Sequence, residues 1–355
     1  MISGVLSPAV DSGRLEFDLP AELEAAEPPE ARGLTRDAVR MMVSRVSAGE
    51  VAHGTFSSLP ATLDEGDLVV VNTSGTLPAA LQAVGDDGTA VVLHLSTQLS
   101  GSRWVVEPRR PAGGASERWS GPPPPRRLDL GAGARATLES SYGSGGRLWV
   151  AELQVPGRLL SWLAVHGAPI RYRHVPRRWP LSVYQNVYAT EPGSAEMPSA
   201  GRPFTPEVLT RLVAKGVGVS PVVLHTGVAS LEADELPYPE RLRVPAVTAE
   251  RVNATHRSGH RVIAVGTTVV RALETAATAD GMARAVEGWT DLVVSPGRGM
   301  RLVDGLLTGW HETASSHLLL LEALCGRPLL SSWYGEALAE GYRFHEFGDV
   351  HLILP

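Results

Sequence analysis

Arg261–Ala277 reads RVIAVGTTVVRALETAA, and the architecture turns on it. An apolar run stops at Gly266, two threonines follow, and a helical pattern begins, as when a buried strand turns into a helix. The first N–H groups of a helix have no intrahelical partner. With the hydroxyls of Thr267 and Thr268 beside them, they make a ready site for an anion or a polar ligand group. Arg271 lies about one turn in. A simple N-cap accounts for the same residues, but functional sites favour the carboxyl ends of such strands.

The surrounding sequence repeats this alternation. RLLSWLAVHG is expected as a helix ending at Gly167, and SPVVLHTG as a strand. TPEVLTRLVAKGV has Thr205 to cap a helix, Pro206 at its first position and Gly216 at its end. TAERVNATHRSG is a helix, WTDLVVSPG a strand, and SSHLLLLEALCG and WYGEALAEGYRF are helices. Strands alternating with helices from about residue 158 imply an α/β domain with much parallel sheet. Upstream, LEFDLP is strand-like, Val39–Val46 is a strand candidate, and DLVVVN (67–72) is a buried strand ending in Thr-Ser-Gly.

Residues 77–157 differ. AVVLHLS, RWVVEP, RLDLG and RLWVAELQV are short alternating segments separated by stretches such as RRPAGGASERWSGPPPPRR. Many short strands with turn signals predict a small β-barrel or sandwich. The expected organisation is therefore a discontinuous α/β catalytic domain, 1–76 with 158–355, carrying an inserted β-barrel domain, 77–157.

Composition bounds the chemistry. The chain has 355 residues, 43% hydrophobic and 20% charged, an ordinary globular balance. Its one cysteine, Cys325, excludes an intrachain disulfide and a cysteine-based zinc cluster. No signal peptide and no membrane-spanning run is visible, so a reducing, cytoplasmic setting is expected. Net charge is -6, which argues weakly against a nucleic-acid coat but leaves room for a local basic groove. Of 32 basic residues only Lys215 is lysine, a bias read here as compositional.

Three other patterns carry less. LDLGAGARA (128–136) imitates a methyltransferase glycine loop, with Glu152 near where a ribose ligand would sit. No helix can follow it in SSYGSGG, so it is a turn between barrel strands. The eleven histidines show no HExxH. His311, Glu312 and His317 lie close together, but not at a standard ligand spacing. YRFHEFGDV (342–350) is dense in side chains able to bind ligands, and its periodicity alone predicts an edge strand or a C-terminal latch.

Taken in order, FDLP (17–20), GDLVVVNTSGTLPAAL (66–81), YQNVYA (184–189), PGSAEMPSAGRPFT (192–205), VVLHTG (222–227), RVIAVGTTVVRALE (261–274), TGWH (308–311) and YRFHEFGDVHLIL (342–354) resemble the S-adenosylmethionine:tRNA ribosyltransferase-isomerases of queuosine biosynthesis from end to end. The resemblance implies an α/β main domain with an inserted small β-barrel, S-adenosylmethionine as substrate, tRNA as partner, and no metal. It also implies transfer and rearrangement of the ribosyl moiety onto 7-aminomethyl-7-deazaguanine in tRNA, with adenine and methionine released. Such chemistry needs a base beside the sulfonium, donors for the departing adenine and exclusion of water. The motif positions imply His225, His311, Glu240 and Arg271 as catalytic candidates. They imply Asn72, Gln185, Tyr188, Pro198, Ala200, Gly201, Gly227, Gly266, Thr267, Thr268, Tyr342, Arg343 and Asp349 around the substrate.

Several positions depart from the family pattern. Its usual AAPTAGLHF loop is AEMPSAGRPF here, with Pro203 in place of a histidine, and TNFHLP is TGWHET. LHVGxGTF is LHTGVASL, and PYPE, with Glu240, stands for a histidine-rich segment. Gly75 and Ala80 stand where the family has basic side chains. Fewer basic side chains mean weaker phosphate contact. A diverged paralogue with a small-molecule acceptor or lyase chemistry, and a non-catalytic ligand-binding homologue, are the alternatives. The residues leave the oligomeric state open between a monomer and a small homo-oligomer.

Overall fold

The computed structural model describes residues 15–113, 115–143, 145–228 and 237–355. The chain begins with β1 (Arg40–Arg45), β2 (Val51–Thr55), the short helix α1 (Leu59–Thr62), β3 (Leu68–Asn72) and β4 (Ser74–Thr76). It then runs through β5 (Ala80–Gly85), β6 (Ala90–Ser100), β7 (Arg103–Ala112), β8 (Ala115–Arg118), β9 (Arg127–Gly131), β10 (Ala134–Tyr142) and β11 (Leu148–Gln154). After α2 (Leu159–His166) come β12 (Glu191–Ser194), α3 (Pro206–Ala214), β13 (Gly218–Leu224), β14 (Glu240–Val244), α4 (Ala246–Arg257), β15 (Val262–Val265) and α5 (Thr267–Ala276). The last elements are β16 (Val286–Thr290), β17 (Gly305–Gly309), α6 (Ser316–Cys325), α7 (Arg327–Ala339) and β18 (Val350–Leu354).

Nine strands form a mixed sheet in the order β16-β14-β13-β3-β15-β17-β18-β1-β2. Its centre is the parallel group β13, β3, β15 and β17. β3 is buried along its whole length because both faces are covered. Its side chains alternate between the two cores. Leu68 and Val70 pack with Val269, Val270 and Leu273 of α5, while Val69 and Val71 pack with Val208 and Leu212 of α3.

The other strands of the insert close on themselves. The order β11-β10-β9-β5-β6-β7 is completed by pairing of β7 with β11, and β8 adds to the far half of β7. Alternating patterns such as buried Leu128 and Leu130 in β9 fill the barrel core. The fold class expected from the sequence, an α/β domain with an inserted small barrel, is the observed one. LDLGAGARA forms the β9–β10 turn, with Gly131 and Gly133 at positive φ.

Three local readings need correction. LEFDLP makes no strand. Leu15 and Phe17 are buried, and the Phe17 N–H donates to Thr313 Oγ1 at 2.9 Å, so packing rather than a ladder holds the segment. In WTDLVVSPG the strand ends at Thr290, and the Leu292 carbonyl accepts from Arg271 Nε at 3.1 Å. YRFHEFGD is a loop, and the strand after it, β18, lies inside the sheet between β17 and β1 rather than at an edge.

Candidate active site

β3, β13, β15 and β17 all end on one side of the sheet, and two adjoining cavities open there against the barrel. The first, about 220 Å³, is bounded by the loop Glu196–Ala200, Thr226–Val228, Glu240, the Gly266–Thr268 turn, Arg271 and the α6 start, with Thr97 from barrel strand β6. The second, about 780 Å³, lies between Arg109 and Ser116–Arg118 of the barrel and the segments around Tyr172, His311 and His345. Glu196, Met197, Ser199, Gly309, His311 and His317 line both, so they form a shared wall.

The turn after β15 has the conformation its sequence foretells. Gly266 has φ +90°, which favours glycine, and a Cβ there would lie 3.4 Å from the Ala200 Cβ. The turn aims the start of α5, with Thr267 and Thr268, into the first cavity. Asn72 buttresses it. Its amide donates to the Leu224 carbonyl at 2.8 Å and to Thr268 Oγ1 at 3.4 Å, and its carbonyl accepts from the Ser74 and Leu224 N–H groups.

Glu240 and Arg271 are an ion pair inside this cavity. Glu240 Oε1 accepts from the Gly227 N–H at 2.9 Å, while Arg271 also donates to the carbonyls of Leu292, Thr290 and Tyr238. Burial raises the Glu240 carboxyl above its ordinary value, against the opposing pull of Arg271 and the Gly227 N–H. Through these contacts the pair joins β14, α5 and the stretch after β16 at the cavity wall.

His311 and His317 stack with centroids 4.5 Å apart and planes 10° apart. His311 Nε2 lies 2.8 Å from Thr308 Oγ1. Burial holds His311 well below the usual histidine range, and His317 and His345 add to it. Burial, with nearby Arg271, brings His317 to about 4. Both imidazoles are therefore neutral near pH 7, the form that accepts a proton. In the second cavity, His174 stacks on His345 at 4.1 Å and pairs with Glu346 at 2.7 Å, and Tyr172 donates to Glu196.

The sequence-derived candidates divide. Pro198, Ala200, Gly227, Glu240, Gly266, Thr267, Thr268, Arg271 and His311 line the first cavity. Gly201 lies behind it, where a Cβ would come within 2.0 Å of the Tyr188 hydroxyl. Tyr188 itself packs on Phe204. His225 lines neither cavity. Its Nδ1 lies 2.8 Å from Ser74 Oγ, and burial lowers its pKa. Gln185 is spent on both backbone groups of Thr76. Tyr342 is a core residue whose hydroxyl meets His53 Nδ1 at 2.8 Å. Asp349 accepts the Arg40 and Arg343 N–H groups at 2.8 Å, and exposed Arg343 lines neither cavity. Tyr342 and Asp349 thus tie the loop before β18 to β2 and β1.

Motif reading missed Thr97, Glu196 and Tyr238. Thr97 reaches the site from the barrel, which no local pattern announces. Glu196 was visible as the one charge in a loop that is otherwise uncharged up to Arg202. Among the described residues, no group of three or more His, Cys, Asp or Glu side chains could hold a metal ion. Nor is any helix among them long and apolar enough to cross a membrane.

Fold and site together define a ligand-binding α/β protein with an inserted barrel and a two-chambered cleft between them. The chain belongs to the queuosine biosynthesis protein family, whose model matches residues 13–353. It is 37% identical over 353 residues to an S-adenosylmethionine:tRNA ribosyltransferase-isomerase of Symbiobacterium thermophilum, covering 96% of this chain and 98% of the relative. A Moorella thermoacetica protein of the same name is 35% identical over 351 residues, with 96% and 98% covered. The crystal structure of S-adenosylmethionine tRNA ribosyltransferase from Thermotoga maritima matches with TM-score 0.54 at 28% identity, covering 96% of this chain and 99% of that one.

Proposed function

We propose that this chain transfers and isomerises the ribosyl moiety of S-adenosylmethionine onto 7-aminomethyl-7-deazaguanine in tRNA, releasing adenine and methionine. The observation that carries this reading is the shared wall. A two-substrate reaction needs two chambers meeting at the reacting atoms, and Glu196, Ser199, His311 and His317 stand where they meet. The first cavity takes S-adenosylmethionine, with the Gly266–Thr268 turn facing its carboxylate. The second admits the acceptor base. Neutral His311 accepts the proton lost beside the sulfonium, and the Glu240–Arg271 pair positions rather than reacts. Every strand of the barrel and its flap falls between Ala80 and Gln154, which supports taking 77–157 as the inserted unit and 1–76 with 158–355 as the other.

His311→Gln tests the assignment, with product nucleoside in digested tRNA followed by mass spectrometry. Turnover is expected to fall on the order of a hundredfold or more, with S-adenosylmethionine affinity nearly unchanged. Normal turnover would remove His311 from the mechanism.

A further inference from the structure

Residues 171–180, RYRHVPRRWP, cross from α2 to the turn at Leu181–Tyr184 without helix or strand. This strap borders two hollows. Tyr172, Arg173 and His174 line the second cavity. Arg171, Arg178 and Trp179 line a separate hollow of about 110 Å³ whose wall includes Ala80. Ala80 is one of the two positions where the family pattern has a basic side chain, so arginines from a different stretch of chain stand around the place left uncharged.

The strap's basic side chains divide between committed and exposed ones. Among the described residues, its one ion pair is His174 with Glu346, and the His174 pKa is raised: burial, the largest single effect, lowers it, but the bond to Glu346 and the charges of Glu346, Glu24 and Glu312 together outweigh burial. Arg171 is spent on the carbonyls of Val175 and Pro176. Arg173, Arg177 and Arg178 are exposed, and Arg177 lies over the Trp179 ring at 5.1 Å. The hollow beside Arg171 and Arg178 has no carboxylate among its described lining residues, whereas Arg173 shares the second cavity with Glu24, Glu117, Glu196, Glu312 and Glu346. On a chain of net charge -6, the local positive surface is therefore the outer part of the strap, around Arg177 and Arg178. A guanidinium presents a planar fork that matches phosphate oxygens.

We propose that the strap grips the RNA phosphates flanking the acceptor nucleotide as that nucleotide enters the second cavity. The inference rests on the function proposed above and adds the surface that holds the RNA. It relocates the backbone contact from positions 75 and 80 to Arg177 and Arg178.

The test compares Arg177→Gln/Arg178→Gln with a control, Arg127→Gln/Arg135→Gln, which removes two exposed barrel arginines. Binding of tRNA bearing 7-aminomethyl-7-deazaguanine is measured across a salt series, and S-adenosylmethionine binding reports an intact fold. The strap variant is expected to lose tRNA affinity on the order of tenfold, and its log K against log salt slope to flatten by about 1 to 2. The control should keep the parent slope. A strap variant that binds like the parent, or a control that loses as much, overturns the strap assignment and leaves the proposed function standing. A parent protein that does not bind this tRNA overturns both.

Discussion

Gly266 bears the most specific single-residue demand in the site. Its φ of +90° and the Ala200 Cβ 3.4 Å from where a side chain would begin leave no relaxed place for alanine. Gly266→Ala should cost roughly 1–3 kcal/mol in chemical denaturation and weaken S-adenosylmethionine binding in calorimetry. Unchanged values for both would separate the turn from ligand binding. The buried histidines make a second prediction. Burial takes His94 and His351 to about 3 and His317 to about 4. Their folded pKa values lie below the unfolded value, so their contribution is complete above pH 6.5 and is lost as pH falls toward 3. Stability should drop steadily across that window, by a total on the order of several kcal/mol, read as a falling melting temperature. A flat profile between pH 6 and 4 would mean that these rings are not kept neutral. At this scale the sequence made the Gly-Thr-Thr turn plain, because glycine at a strand end and hydroxyls at a helix start have a local cause. It misplaced Tyr342 and Asp349, since a side chain able to bind ligands is equally able to bind its own backbone.

Between elements, one buried ion pair ties β14 to α5. Glu240 and Arg271 sit 31 residues apart in sequence, and Arg271 also holds the stretch after β16 through the Leu292 carbonyl. Arg271→Met strands a buried carboxylate and should destabilise by about 3–5 kcal/mol. Adding Glu240→Gln in the same chain should recover part of that loss, and a double-mutant cycle in urea reads the coupling. Strictly additive losses would show that the pair does not act as a unit. Elements whose signal is local were legible: DLVVVN as a two-faced buried strand, and Thr205 as a cap, its hydroxyl accepting from the Val208 N–H at 3.2 Å. Others were not. β2 is mostly exposed and carries no apolar alternation, and LEFDLP has strand composition but packs as a coil against Tyr334. Pairing decides such cases, and pairing is not local.

At the level of the molecule, the composition break near residues 77 and 157 revealed the barrel, since small closed sheets leave frequent turns in the sequence. The sequence did not disclose what the barrel does for the site. It brings Thr97 to the first cavity and Arg109 with Ser116–Arg118 to the second. Nor did a net charge of -6 reveal the arginine strap, because charge acts through its placement rather than its sum. On the proposed reading, two chambers sharing one wall serve two substrates that react only together. This reading is tested most directly by following free adenine while the protein is incubated with S-adenosylmethionine, with and without tRNA bearing 7-aminomethyl-7-deazaguanine. Adenine released only when that tRNA is present is the predicted result. Adenine released equally without it, or not released in either case, would contradict the account.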